Sequence, residues 1–301
     1  MEVWILATIA ATIFQTLRFM LQKQLSMGAL STGGATFARF AYSAPLLALV
    51  LAGWLVVSGT ALPDISARFW IMGAIGGLAQ ILATVCVVAL FRERNFAVGI
   101  TFKKTEVVQA AFVGLIVLGE GVSFFGLIAI LIGLCGVLLL SSAPEAAGTW
   151  RERLFTRAAG LGLTSGLLFA ISGVTYRAAT LDVGADAPLL RAAVTLSAVT
   201  LMQFAAMSIW LRVFEQGQIS AVWLARRKAL WIGLMSLAGS LGWFLAFTLQ
   251  TAAYVKALGQ IELIFSLMVS VLVFKEKLSA REGVGIAFLS ASVLLLILAV
   301  R

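Results

Sequence analysis

Apolar residues in this chain fall in long blocks separated by short polar gaps. Blocks of spanning length run over about 3–21, 33–57, 69–90, 95–118, 122–141, 158–181, 187–211, 229–250, 252–274 and 281–300. A helix needs about 20 such residues to cross a hydrocarbon layer roughly 30 Å thick, so the pattern predicts ten transmembrane helices. No strand-like alternation appears, and an open sheet edge in lipid would leave backbone groups unpaired, so an all-α fold is expected. Only Arg92, Glu93 and Arg94 set the third block apart from the fourth. The first block has neither a basic leader nor a small-residue cleavage site and predicts a retained span.

Composition strengthens this reading: 61% of residues are apolar and 12% charged, against about 45–50% and about 25% in soluble domains. The net charge of +9 raises the question of nucleic acid. Such a partner would need basic residues gathered on one surface with interleaved aromatics, whereas here they sit in the gaps between blocks. The chain has no histidine, which removes the commonest acid–base and metal-binding side chain and argues against an enzyme. Cys86 and Cys135 lie within apolar blocks without metal spacing and read as core thiols. No metal or cofactor is expected.

The longest polar interval, with Pro144, Gly148 and Arg151-Glu152-Arg153, lies near the middle of the chain. It divides the sequence into repeats at 1–143 and 158–301, joined by a linker over 144–157. Glu106 and Glu120 stand 14 apart, as do Glu262 and Glu276, and each pair is offset from the other by 156. Ser123 and Ser279 keep the same offset, and Arg39 and Arg191 stand early in the second span of each half. The glutamate pairs carry the argument, because the chain has only 13 acidic residues. Five spans is an odd number, so the second repeat enters the membrane from the opposite side and the repeats are inverted.

Charge supports the inversion. Equivalent gaps of inverted repeats lie on opposite faces, so one should be basic and the other not. The gap with Glu120 has no basic residue, and its counterpart has Lys275, Lys277 and Arg281; the gap with Arg68 answers to one with Arg212, Arg226, Arg227 and Lys228. With Lys23, Arg92, Arg94, Arg151, Arg153 and Arg157, the odd-numbered gaps hold most of the basic residues. The positive-inside rule then places these gaps in the cytoplasm, giving a multi-pass protein of the cell (inner) membrane with both termini non-cytoplasmic.

The stretches LIVLGEGVSFFGLIAILIGLCGVLLL, within 113–140, and VLVFKEKLSAREGVGIAFLSASVLLL, within 269–296, resemble the closing segments of EamA-type repeats of the drug/metabolite transporter superfamily. The likeness covers both halves, and its specificity comes from the duplication. It implies a secondary transporter whose cavity is formed mainly by the first, third and fourth helices of each repeat, with alternating access by rocking. Family members carry amino acids, nucleotide sugars, other metabolites and toxic compounds. The family often has a proline in each fourth helix; here Glu106 and Glu262 stand near that place. The first span has no internal carboxylate, so the proton-coupled mechanism of small multidrug-resistance proteins does not carry over.

Ionisable groups at membrane depth cost about 2.5–3.5 kcal/mol on insertion scales, which marks Glu106 and Glu262 as candidates. Each is suited to bind a substrate ammonium or to couple transport to protons; pairing with Lys103, Lys104 or Lys256 for helix packing is the alternative. Gln15, Arg18 and Gln22 share one face of the first span, where lining a cavity and bridging to a neighbouring helix are both open. Gln260 adds polarity near Glu262. Arg39 and Arg191 read as interfacial or interhelical, and Arg177 shares the ambiguity of Arg18. Under the family resemblance Trp4, Phe14, Tyr176, Trp243, Phe244 and Tyr254 surround the cavity, with Trp243 the deepest tryptophan. Trp4, Trp54, Trp70, Trp210 and Trp231 also suit interface anchors. Gly73 with Gly77, and Gly162 with Gly166, have the spacing of close helix packing. Glu120, Glu276, Lys275 and Lys277 read as loop caps and topology signals.

These features lead to an expected transporter of a small amino-acid-like or amphiphilic metabolite, with export favoured by family analogy alone and protons a candidate coupling ion. A single chain already holds both halves, so a monomer suffices and a dimer remains compatible. A lipid or headgroup translocator is the alternative, with Arg226, Arg227 and Lys228 available for anionic headgroups. A membrane-embedded enzyme acting on lipid-linked substrates is weaker, because the carboxylates are spread singly. The orientation is testable: Ser58→Cys should react with a membrane-impermeant thiol reagent from the non-cytoplasmic face, and labelling only from the cytoplasm would reverse the topology.

Overall fold

The computed structural model describes residues 2–28, 30–90, 102–141, 156–265 and 280–300. Arg92, Glu93 and Arg94, the linker residues 144–155, the ninth block beyond residue 265, and Lys275, Glu276, Lys277 and Ser279 lie outside the described residues. The described helices are α1 (Val3–Ser26), α2 (Thr32–Ser58), α3 (Ala67–Leu90), α4 (Glu106–Leu118), α5 (Phe124–Ser141) and α6 (Arg157–Leu181). They continue with α7 (Pro188–Phe214), α8 (Gln218–Leu224), α9 (Arg226–Leu249), α10 (Ala252–Gly259) and α11 (Ala280–Val300). Most limits fall within a few residues of the apolar blocks. Two features had no counterpart in the pattern: the short helix α8, and a two-residue antiparallel ladder between β1 (Asp64–Ile65) and β2 (Val183–Gly184).

Among the described residues, six helices are long and apolar enough to cross a membrane: α1, α2, α3, α6, α7 and α9. Shorter apolar helices occupy Glu106–Leu118, Phe124–Leu140 and Gly283–Ala299. The outward faces are apolar as well, with Leu49, Val56, Val57, Phe112, Ile116 and Phe124 all largely exposed. A soluble protein rarely tolerates such a surface. The chain is therefore an all-α, multi-pass membrane protein.

Local chemistry explains the helix ends. Ser31 caps α2 by accepting the Gly34 N–H at 2.9 Å, and Thr156 caps α6 by accepting that of Ala159 at 3.1 Å. Gly59 and Gly119 close α2 and α4 with φ of 64° and 67°, a left-handed conformation that costs glycine little. The ladder joins the gap after α2 to the gap after α6 on one face. On the other face, Ser31 before α2 bonds to Glu215 after α7, and its N–H to Gln218 at 2.9 Å.

The closest helix pairs are α3 with α6, α5 with α11, and α1 with α9; α2 lies against α7 and α9. Each of the three closest pairs is built on glycine. A Cβ at Gly76 of α3 would lie 2.5 Å from Thr175 Oγ1 of α6, and one at Gly242 of α9 would lie 2.7 Å from the Ala7 carbonyl of α1. At Gly136 of α5 it would meet the Gly285 carbonyl of α11 at 2.9 Å. Apolar side chains gain little by leaving lipid, so close backbone contact supplies the packing. Gly73 and Gly77 also pack, but against α7 and at ordinary contact distance. Gly166 is tighter, with Lys103 O at 3.0 Å from its added Cβ.

Two expectations fail for the same reason. Cys135, expected in the core, is exposed, while Cys86 is half-buried; Trp4, expected also as an interface anchor, is buried at 3% exposure. Lipid is as apolar as a protein core, so an apolar block does not distinguish its two faces. Trp54, Trp70, Trp210 and Trp231 are exposed as anchors should be. Replacing Gly136 with Val should separate α5 from α11 and destabilise the protein by about 1–3 kcal/mol, the cost of overpacking. Melting curves in detergent check this, with Gly53→Ala, at a position that meets no atom within 4 Å, expected to leave stability near wild type.

Candidate functional site

The helix is interrupted just ahead of Glu106 and of Glu262. In the fourth block the chain is helical at 102–103, turns at Lys104 and Thr105, and resumes as α4 at Glu106. In the ninth, α10 ends at Gly259, Gln260 and Ile261 turn, and helix resumes at Glu262. The breaks keep the 156-residue offset of the glutamates. Backbone bonds tighten to the three-residue spacing of a 3₁₀ turn: Thr105 N–H donates to Phe102 C=O at 3.2 Å, Gln260 to Ala257 at 3.2 Å and Ile261 to Leu258 at 3.0 Å. Each glutamate stands where helix resumes after the turn, a place where the helix dipole favours negative charge.

The ion pairs cross between the two broken segments. Lys104 bonds to Glu262, and Lys256 Nζ of α10 approaches Glu106 Oε1 at 4.0 Å. Lys103 adds a 3.4 Å contact to Glu106 from its own segment. Gln15 of α1 donates to Glu262 Oε2 at 3.3 Å and accepts from Trp243 Nε1 of α9 at 3.1 Å. A single hydrogen-bonded chain thus links α1, α9 and both breaks. All three lysines and Glu106 are buried.

Aromatic faces complete the surroundings of Lys256. Its Nζ lies 5.1 Å from the Trp243 ring centre, 5.3 Å from Phe169 and 5.8 Å from Phe247, and Lys103 Nζ lies 5.0 Å from Phe169. Such contacts reach roughly 2 kcal/mol when desolvated, so they offset part of the cost of burying the ammonium. α6 comes close enough because it has no side chains at two points. A Cβ at Gly173 would lie 3.3 Å from Lys256 Cε, and one at Gly166 would press on the first break.

Other candidates lie apart from this cluster. Arg18 donates to Gln22 Oε1 at 2.8 Å. Among the described residues Arg39 hydrogen-bonds only to hydroxyls, those of Ser236, Ser240 and Thr84, and so bridges α2, α3 and α9. The Tyr176 hydroxyl meets Gln80 at 3.1 Å and Gln203 at 3.3 Å, with its ring 4.4 Å from Phe244. Near the face that carries the ladder, Arg177 clasps Glu120 and the Phe247 carbonyl, and Tyr254 Oη accepts the Ser123 N–H at 3.0 Å. Arg191 bonds to the Ala185 carbonyl. The Gln260 amide donates to the Lys256 carbonyl at 3.3 Å, while its Oε1 and that of Gln109 are buried without a partner.

No family model and no curated protein matches this chain. Solved structures do match. One protein of known crystal structure superposes with a TM-score of 0.73, covering 100% of this chain and 97% of that one at 15% identity. At that identity the likeness shows a shared fold alone.

Sequence reasoning found Glu106, Glu262, Lys104, Lys256, Gln15, Trp243 and Gln260, and the structure gathers these seven. It named Lys103 only as a packing partner, and did not single out Phe169, Phe247 or the breaks themselves. Gly259 ahead of Gln260 was the one local sign of a break; nothing comparable stands at Lys104. The pairing yields a test. Lys104→Met removes the lysine partner of Glu262 and should cost about 3–5 kcal/mol, whereas adding Glu262→Gln should recover much of it. A double-mutant cycle of unfolding free energies measures the coupling, and additive losses would contradict the pair.

Proposed function

We propose that the protein is a secondary transporter, made of two inverted five-helix repeats, that moves a small amino-acid-like or amphiphilic metabolite by alternating access, with export as its direction. The carrying observation is that two broken helices, at one sequence offset, meet through crossed ion pairs. Discontinuous helices at the midplane supply free backbone groups and helix ends for a solute and its coupling ion, the arrangement on which many secondary transporters rely.

Helix pairing supports the duplication. An exchange of halves turns α1 into α6 and α3 into α9, and so turns the α1–α9 contact into α6–α3; both contacts are extensive. The pairs α2–α7 and α5–α11 map onto themselves, and each pair is in contact.

The α2–α7 pair supports alternating access. At one end the helices are pinched: a Cβ on Gly33 would lie 2.7 Å from the Trp210 ring, and Ser31 bonds to Glu215 and Gln218. At the other end they part around an apolar groove of about 300 Å³, lined by Leu47, Val50 and Trp54 of α2, Leu190 and Ala193 of α7, and Leu241 of α9. An adjoining open pocket of about 620 Å³ includes Asp64 and Asp186. Closed on one face and parted on the other is one end-state of a rocking cycle. The apolar groove also suits an acyl chain, which makes a lipid translocator the second reading.

Proteoliposome counterflow with labelled amino acids across a pH series tests the proposal. Uptake should be saturable and should fall more than about tenfold in Glu262→Gln, the loss of one charge-assisted interaction; the loss in Glu106→Gln should be smaller. Full uptake with an unchanged pH response in both variants would contradict a coupling role. Transbilayer movement of labelled phospholipid without solute uptake would establish the second reading instead.

A further inference from the structure

Among the described residues five cationic side chains, Arg18, Arg39, Lys103, Lys104 and Lys256, are buried within the bundle, and two carboxylates, Glu106 and Glu262, answer the lysines. Glu106 is taken by Lys103 and Lys256, and Glu262 by Lys104. The two arginines remain. Among the described residues neither is paired with a carboxylate.

Arg39 is 4% exposed. Its Nε donates to Ser236 Oγ at 2.9 Å, its Nη2 to Ser240 Oγ at 3.1 Å and its Nη1 to Thr84 Oγ1 at 3.4 Å. Hydroxyls satisfy N–H groups but bring no opposite charge. Arg18 is 3% exposed and is held by Gln22, whose amide donates at 2.9 Å to the Ala35 carbonyl, one turn ahead of Arg39 on α2. Gln22 thus ties Arg18 to the turn of α2 that precedes Arg39. Two cations buried in a bilayer without a carboxylate partner need a counter-anion to offset their desolvation.

Position fits a solute path. Arg18 lies about two turns from the end of α1 and Arg39 about two turns from the start of α2. They therefore stand between Glu262 and the face on which α2 and α7 are pinched. A bracket among three helices would need only neutral donors and acceptors, as Tyr176, Gln80 and Gln203 illustrate nearby.

We infer that Arg18 and Arg39, with the hydroxyls of Thr84, Ser236 and Ser240, form a binding site for an anionic oxygen group, a carboxylate of the transported solute. The proposal rests on the transporter reading for the word transported, but not for the site. The planar guanidinium presents paired N–H donors that match two carboxylate oxygens, and the hydroxyls supply further donors. Phosphate offers the same oxygens, so the probes must separate the two.

The test is a thermal-shift titration of the full chain in detergent with four probe sets: common α-amino acids, the amines left by their decarboxylation, the acids left by their deamination, and inorganic phosphate. Each variant is compared with its own ligand-free melting temperature, which removes any loss from helix bracketing. Amino acids or their deaminated acids should stabilise the wild type, and the amines should not. Arg39→Gln and Arg18→Gln should each weaken that binding at least about tenfold, with partial recovery in Arg39→Lys. If Arg39→Gln does not fold, Arg18→Gln and Ser236→Ala/Ser240→Ala carry the comparison. A response to phosphate alone would overturn the carboxylate assignment; a response to amines alone, none to any anion-bearing probe, or undiminished anion binding in the variants would overturn the site. Anion binding without transport in proteoliposomes would sink the transporter reading and leave the site standing. Transport of amines without anion binding would do the reverse.

Discussion

A charge cannot be left unanswered in hydrocarbon, and the interior of this protein is organised around that constraint. Lys104 and Lys256 each reach across the bundle to the glutamate of the other segment, while Lys103 answers Glu106 from its own. Desolvation makes such pairs poor sources of net stability but costly to break singly. They therefore act as a register, fixing which turn of one segment faces which turn of the other.

That register depends on close packing elsewhere. Gly166 and Gly173 let α6 approach the breaks, and Gly259 leaves room for the Trp243 ring, whose added Cβ contact would be 2.6 Å. Gln15 then ties Trp243 to Glu262. Away from the cluster, α2 and α7 make their polar contacts at one end and leave an apolar groove at the other. Polar contacts are thus concentrated at the breaks and at one end of the α2–α7 pair, while apolar side chains line the groove at its other end.

Much of this was legible in the sequence because the bilayer allows few solutions. Block length and the ban on unpaired backbone in lipid predict helices, and the described helices follow the blocks closely at α2, α3 and α6. Scarcity made the glutamates legible: few acidic residues exist, and those at depth had to matter. Their partners were harder to read. Lys104 lies two residues from Glu106 yet bonds to Glu262, which is 158 residues away, and sequence proximity pointed to the wrong carboxylate. The breaks were hidden because neither contains proline. Which side of a block meets lipid was illegible in principle, as Cys135 and Trp4 show, because both environments are apolar. Arg39 looked like one of two matching arginines, but Arg191 meets a loop carbonyl and Arg39 a ring of hydroxyls on other helices.

The central claim is that the crossed pairs hold one of two tilted arrangements of the halves. Spin-label distance measurements test it directly, with one label pair at Val57 and Asp186 on the ladder face and another at Met27 and Val213 on the pinched face. Neutralising Lys104 and Glu262 together should release the register, so that the ladder-face distribution shifts shorter while the pinched-face distribution shifts longer. Distances that stay fixed on both faces, or lengthen together, would contradict a rocking pivot at the two breaks.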